Sequence, residues 1–242
     1  MRRKEYILII VLVCFYSISF GQNKHFTIGF RDNGLSFGNS LNTNGIRFNL
    51  LDKDVEIING FNIAVFTRTK ITNGVSIGLA TDDSISNGIK INGYIGGSKK
   101  ANGIVISGLG YAADYFNGLG LGFFLAGEKL NGLFICPFGV MTLNNDEKIK
   151  LINGVAIGSF TSAEKLNGIS IGIITSDIDK LKGITISINN EIEEQHGVSI
   201  GIVNKSKKLH GIQIGLWNIA ENNKIFKRMP IINFNFRKNA SR

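Results

Sequence analysis

The chain has 242 residues, a formal net charge of +9 at pH 7, 30 glycines and only two cysteines. The charge is uneven, because Gln22 to Asn223 carries 18 basic and 17 acidic residues, whereas 224–242 carries six basic residues and no acidic one. Basic and aromatic residues are not interleaved along one face, so the composition excludes a typical nucleic-acid-binding protein, and the basic end is typical of a solvated terminus.

The first 21 residues have the three parts of a secretory signal peptide. Residues 2–4 are basic, residues 6–20 are apolar, and the small residues Ser19 and Gly21 stand where a signal peptidase cuts. The apolar run is shorter than the roughly 20 residues that a membrane-spanning helix needs. We therefore predict a cleaved signal peptide over 1–21 and a protein exported to the periplasm, the outer membrane or the cell surface.

A repeat occupies residues 45–218. Its glycines are spaced 14 or 15 residues apart in ten of eleven intervals, and Asn precedes nine of the twelve. The one long interval holds a polar insertion near 141–150. The repeated glycines are Gly45, Gly60, Gly74, Gly88, Gly103, Gly118, Gly132, Gly154, Gly168, Gly183, Gly197 and Gly211.

Each repeat contains an apolar alternation of the form Ile-x-Ile directly after its glycine, as in Ile184, Thr185 and Ile186. A period of two predicts a half-buried β-strand, with the isoleucines facing the core and the middle residue facing outward. A further apolar residue two positions before several of the glycines predicts a second and shorter buried edge: Leu130, Ile152, Leu166, Leu181 and Leu209. The predicted outward column is Ser76, Lys90, Val105, Gly120, Phe134, Ala156, Ser170, Thr185, Ser199 and Gln213.

The Asn-Gly pairs predict corners of the chain, because glycine takes positive φ without steric cost and Asn tolerates the left-handed region. A coil that turns once per repeat stacks each unit about 4.8 Å above the previous one and aligns the Asn residues in a ladder. The sequence thus predicts an all-β fold, a narrow β-solenoid of about 12 coils with 14 to 15 residues per repeat and roughly 60 Å long. Residues 22–44 and 219–242 are expected to supply cap strands, the latter with the basic tail.

An antiparallel outer-membrane β-barrel is the alternative fold, with one strand and one turn in each repeat. Such barrels need an apolar band about 25 Å tall and loops of alternating length. Here the alternation extends over at most about 17 Å, and the connections are uniform. The solenoid is therefore the favoured prediction.

The segments "NGVSIGLAT", "HGVSIGIVN", "HGIQIGLWN" and "MPIINFNF" resemble the uncharacterised surface-repeat proteins of Gram-negative bacteria, whose unit is close to x-G-x-Q-I-G-L-x-N. The resemblance covers roughly Asn44 to Phe236 and is most specific at His210 to Asn218. It implies export and exposure at the cell surface or in the periplasm, and it supplies no activity, cofactor or site residue.

No cofactor or metal site is predicted. Gly108, Gly110 and Ala113 fit a loose dinucleotide fingerprint, but no helix pattern follows them. His196 and His210 occupy one repeat position and should stack about 4.8 Å apart, yet two ligands without a third make a poor metal site. We expect both to be corner residues that tolerate positive φ.

No catalytic residue is predicted, and the chain is expected not to be an enzyme. A carbohydrate-active solenoid is the alternative, because such enzymes need two converging carboxylates. The acidic residues lie at unmatched offsets in polar segments and are read as solvated: Asp82, Asp83, Asp177, Asp179, Glu191, Glu193 and Glu194. Cys136, the one cysteine outside the signal peptide, is expected to be packed rather than reactive.

An aromatic cluster in the middle of the repeats is the candidate interface, since exposed apolar patches mark partner sites. Its residues are Tyr111, Tyr115, Phe116, Phe124 and Phe134. The sequence favours a non-enzymatic repeat module that binds a component of the cell envelope or surface, and it indicates no small-molecule substrate.

Overall fold

The computed structural model describes residues 25–142 and 147–237, so the signal peptide predicted over 1–21 lies outside the described residues. Of the described residues, 89% are in strands and none is in a helix. The protein is a β-solenoid of about 11 turns with about 15 residues per turn. The solenoid prediction is confirmed, and the barrel alternative is wrong because neighbouring repeats run parallel. None of the described residues belongs to a helix that could span a membrane.

Long strands that bend around the coil make up most of the fold, and the chain divides into two compact units, Met1–Gly93 and Tyr94–Arg242. The strands are β1 (His25–Phe30), β2 (Asn33–Gly38), β3 (Asn42–Leu51), β4 (Val55–Val140), β5 (Leu151–Ile186), β6 (Asn189–Ala220) and β7 (Arg228–Asn235). The first unit contains β1 to β3 and the start of β4, and the second contains the remainder.

In the first unit, the repeats stack in register. β2 pairs with β3 in parallel, with Gly34 opposite Gly45, and β3 pairs with β4 in parallel, with Gly45 opposite Gly60. Gly34 is therefore one further corner glycine, which the 14- to 15-residue spacing does not reveal. β1 runs antiparallel to β2 and forms the first strand of this unit.

The second unit also has glycine opposite glycine in its parallel strand pairs. β4 pairs with β5 in parallel, with Gly132 opposite Gly154, and β5 pairs with β6 in parallel, with Gly183 opposite Gly197. β7 pairs antiparallel with the last turn of β6. The polar insertion predicted near 141–150 falls between β4 and β5, and its residues 143–146 lie outside the described part of the chain.

The twelve repeat glycines take φ values from 119° to 149°, a region that L side chains rarely adopt. A Cβ at Gly168 would lie 2.0 Å from the carbonyl oxygen of Gly154, one turn earlier, and a Cβ at Gly183 or Gly197 would meet the preceding corner glycine in the same way. Only glycine therefore fits the corner.

The residues before these glycines do not take positive φ. The expectation that Asn and His tolerate positive φ at the corner is therefore wrong, because glycine alone supplies that conformation. The Asn side chains instead form the predicted ladder: in the second unit, Asn131 Nδ2 donates to Asn117 Oδ1 over 2.7 Å, and Asn153 donates to Asn131 over 2.7 Å. Asn73 donates to Asn59 over 2.8 Å in the first unit.

The alternation of buried and exposed residues is the reverse of the one predicted from the sequence. The middle residue of Ile-x-Ile points inward, and Thr185, Ser199 and Gln213 are fully buried. The flanking isoleucines point outward, and Ile184 and Ile186 are 38% and 39% exposed. The column two residues before each glycine is buried as predicted: Leu130, Ile152, Leu166, Leu181 and Leu209.

We expect Gly168→Ala to lower the free energy of unfolding by more than about 1 kcal/mol, since alanine must adopt a strained φ and its Cβ overlaps the Gly154 carbonyl. Urea denaturation followed by circular dichroism measures the loss. Gly97→Ala is the matched control, because a Cβ there meets only the Ala112 oxygen at 3.7 Å. Equal effects of the two substitutions would contradict the corner argument.

Candidate interaction surface

One outer side of the second unit is an apolar sheet surface, which we call the aliphatic face. Its first two columns stand one and three residues after each corner glycine, and its third column stands five residues after the last four corner glycines. The first two columns are Ile104, Ile106, Leu119, Leu121, Leu133, Ile135, Val155, Ile157, Ile169, Ile171, Ile184, Ile186, Val198, Ile200, Ile212 and Ile214. The third column is Ile173, Ile188, Ile202 and Leu216.

Thirteen of these twenty side chains are exposed to solvent, and the other seven are half-buried. Ile200 is 37% exposed, Ile188 49%, Ile173 63% and Leu216 70%. No charged residue stands at any position of the aliphatic face. Aromatic rings lie beside the third column in earlier turns: Phe123 stands five residues after its corner glycine, and Phe138 and Phe160 stand six residues after theirs. Phe123 and Phe138 are stacked at a centroid distance of 5.4 Å, and Phe160 lies 5.7 Å from Phe138.

The segment that follows the aliphatic face within each turn carries the charges on its outward positions. Glu191 accepts from Lys205 over 3.0 Å, Glu194 from Lys208 over 2.6 Å, and Glu193 pairs with Lys207, each across one turn. The aligned lysines hold the pKa values of Glu193 and Glu194 below the ordinary range, through hydrogen bonds above all. Because these pairs are exposed, each contributes little to stability.

Every acidic residue considered for catalysis pairs with a basic residue. Besides the three glutamates, Asp177 and Asp179 both accept from Lys148, over 2.6 and 2.7 Å. Asp82 lies 3.5 Å from Arg68, and Asp83 pairs with Lys90. Each of these carboxylates is thus engaged by a lysine or an arginine, and Lys148 bridges Asp177 and Asp179.

The two repeat histidines stack as the register predicts. The rings of His196 and His210 lie 4.9 Å apart between centroids, at an interplanar angle of 11°. Among the described residues, no group of three or more His, Cys, Asp or Glu is arranged to hold a metal ion. The two rings are stacked on each other directly before the corner glycines, at the edge of the aliphatic face.

Three of the five residues of the predicted aromatic interface lie in the interior, which corrects that prediction. Tyr111, Phe116 and Phe134 are at most 2% exposed, and the ring of Phe116 packs edge-on against both of the others. They occupy inward positions of the alternation. Tyr115 is 45% exposed and lies under the ammonium group of Lys129, while Phe124 is half-buried over Gly110.

A second Asn ladder, missed from the sequence, runs inside the second unit. Asn190 Nδ2 donates to Asn204 Oδ1 and Asn204 Nδ2 donates to Asn218 Oδ1, both over 2.8 Å. All three residues are fully buried. Their common offset of seven residues from Gly183, Gly197 and Gly211 was the available sequence signal.

Two buried ion pairs stabilise the interior of the first unit. Arg47 Nη1 lies 2.8 Å from Asp52 Oδ1, and Lys90 pairs with Asp83, with all four side chains at most 1% exposed. Burial raises the pKa of Asp52 and lowers the pKa of Lys90, although the opposite charges act against both shifts. Lys90 belongs to the column that was predicted to face outward, and Arg47 stands at the equivalent position, two residues after Gly45.

Comparisons with family models, with curated proteins and with solved structures found no match for this chain. The resemblance to bacterial surface-repeat proteins stays a prediction from the sequence. The aliphatic face therefore has to be interpreted from its own chemistry.

Replacing Lys90 by Ala should lower the free energy of unfolding by about 3–5 kcal/mol, because Asp83 would be left as a buried charge without its cation. Denaturant unfolding gives the change. Lys70→Ala, which removes one partner of the exposed Lys70–Glu56 pair, is the control and should have a far smaller effect. If the two substitutions cost the same, the buried pair is not a structural element of the interior.

Cys136 should react slowly with alkylating reagents while the protein is folded. Burial raises the pKa of its thiol to about 12, against an ordinary value of 9.0, and the side chain is fully buried. At pH 8 the thiolate population falls by about a thousandfold, so iodoacetamide labelling should slow by at least that factor. Mass spectrometry of the mature chain, with a urea-unfolded sample as control, measures this; rapid labelling of the folded protein would contradict it.

Proposed function

We propose that the protein is an exported, non-enzymatic repeat module that binds another surface of the cell envelope through its aliphatic face. The observation that carries this proposal is the face itself: three aligned columns of outward aliphatic side chains without a charge. Soluble monomers rarely expose apolar patches larger than a few hundred Å², and larger patches mark sites of interaction.

The distribution of polarity supports the same function. Water-facing sheets normally place polar residues outward, as Glu191 and Lys205 do in this chain. In the same turns Ile186 and Ile200 point outward with nothing but aliphatic neighbours in their columns. Because only one side of the coil is apolar, that side is suited to burial against a partner while the charged side stays in water.

Export is the second part of the proposal and comes from the segment 1–21. Its basic, apolar and small-residue parts are those of a secretory signal peptide. With one cysteine left after cleavage, the mature chain can form no intramolecular disulfide in an oxidising compartment. The paired carboxylates support a non-enzymatic role, because each is already engaged by a lysine or arginine.

Fractionation of cells that express the epitope-tagged full-length chain tests the proposal. We expect the tag in the envelope or on the cell surface, and in the cytoplasm when residues 1–21 are deleted. The double variant Ile186→Lys and Ile200→Lys should reduce envelope retention at least about tenfold, because a lysine opposes burial of the face against a partner.

Ala112→Lys is the matched control. Ala112 is exposed in the same unit, and it occupies the same offset from Gly103 as Asp177 does from Gly168, on the charged side of the coil. This variant adds a lysine without touching the aliphatic face. Retention that is equal for all three proteins would rule out the face as the working surface, and a cytoplasmic full-length chain would rule out export.

A further inference from the structure

The size of the aliphatic face sets the kind of partner that can cover it. Eight stacked turns at about 4.8 Å each give a height of about 38 Å. At about 3.4 Å per residue, the face is three residues or about 10 Å wide over the first four turns and five residues or about 17 Å wide over the last four. Each copy can therefore bury roughly 520 Å², and two copies face to face bury roughly 1,040 Å². This area reaches the roughly 1,000 Å² expected of a specific protein–protein interface and exceeds that of most crystal-packing contacts, which lie below about 800 Å².

The composition of the face and its rim also matches a protein interface. Such interfaces have a core depleted of charge and a polar rim. The two columns that begin at Ile104 and Ile106 contain only aliphatic residues, and the neighbouring rim is the hydrogen-bonded ladder from Asn117 to Asn167. The polar groups of this rim already satisfy one another, so they can approach a partner without losing hydrogen bonds.

The chemistry of the face is less suited to a lipid surface. Membrane-surface elements carry an excess of basic residues opposite their apolar side, which anionic lipids attract. The repeats of this unit, from Tyr94 to Asn223, have eleven basic and eleven acidic residues, many of them paired across one turn, and the basic excess of the unit is confined to 224–242. The apolar face is therefore backed by a neutral surface.

The regular spacing of the face favours a second copy of the same chain. Sheets that pack face to face lie about 10 Å apart, and side chains from each inner face fill the gaps between those of the other. Within each column, the side chains and the gaps between them both recur once per turn, about every 4.8 Å. The face of a second copy has the same spacing, so its side chains fit into those gaps. Ile171, Ile186, Ile200 and Ile214 line an open depression of this kind.

We propose that two copies of this chain pack through their aliphatic faces about a two-fold axis. Each copy presents the same surface to the other, as an isologous interface requires. The inference rests on the proposed function, because it takes the envelope surface that the aliphatic face binds to be the same face of a second exported copy. The isoleucines that are exposed in one chain are the buried core of the pair.

Sedimentation equilibrium of the mature chain, Gln22 to Arg242, in buffer without detergent tests this pairing. We expect twice the mass of one chain at micromolar concentrations. The double variant Ile186→Lys and Ile200→Lys should raise the dimer dissociation constant at least about tenfold with an unchanged far-ultraviolet circular dichroism spectrum. Ala112→Lys should stay dimeric. Ile186→Thr, which keeps a β-branched side chain, provides a second and milder disruption.

A wild-type chain that sediments as a monomer overturns the pairing, and so does a dimer that persists unchanged in the folded double variant. A wild-type monomer that binds phosphatidylglycerol or phosphatidylcholine vesicles would assign the face to a lipid surface instead. Monomers whose envelope retention is still lost in the double variant would overturn the pairing alone and leave the interaction module in place. Monomers whose retention is unaffected would overturn both.

Discussion

The close approach of glycine backbones at the corner is the constraint on which the fold depends. The Cα of Gly168 lies against the carbonyl of Gly154, and a side chain at Gly168 would overlap that oxygen. Each turn can therefore be placed over the previous one only with glycine on glycine. A shift of one residue would bring a Cβ into this contact, so the glycines fix the register of every strand between them. The Asn ladder follows from that register and satisfies the polar groups beside the corner.

Equivalent residues of successive turns lie directly above one another, so the residue type at one repeat position determines the chemistry of a whole column on the surface. An outward isoleucine becomes a column of isoleucines, and an outward glutamate comes to lie over a lysine one turn later, as Glu191 does with Lys205. The stacking thus separates apolar from charged residues without any single residue being unusual. The same alignment operates in the interior, where Asn190, Asn204 and Asn218 form a buried, hydrogen-bonded column.

The sequence predicted the period, the parallel register, the Asn ladder and the stacked histidines, because all of these depend on spacing alone. It did not predict which side of the alternation is inside. A period of two groups residues into two faces, and hydrophobicity was used to choose between them. Burial of Thr185 and exposure of Ile186 reverse that choice. The aromatic interface failed for the same reason, since Phe134 stands on the inward side.

The small residues at the fourth position after the corner glycine indicate which side of the strand faces the interior. A Cβ at Gly201 would lie 2.2 Å from the carbonyl oxygen of Ser187 and 2.7 Å from Asn190 Nδ2 in the interior, so the fourth position after the corner glycine lies on the inside of a bend. Once that position is inward, the second is inward too, and the first, third and fifth must point outward. Steric demand at the bend therefore outweighs the tendency of isoleucine to be buried within its own chain. The apolar columns are left for another surface to cover, and this is why the inverted burial and the proposed interface are one argument.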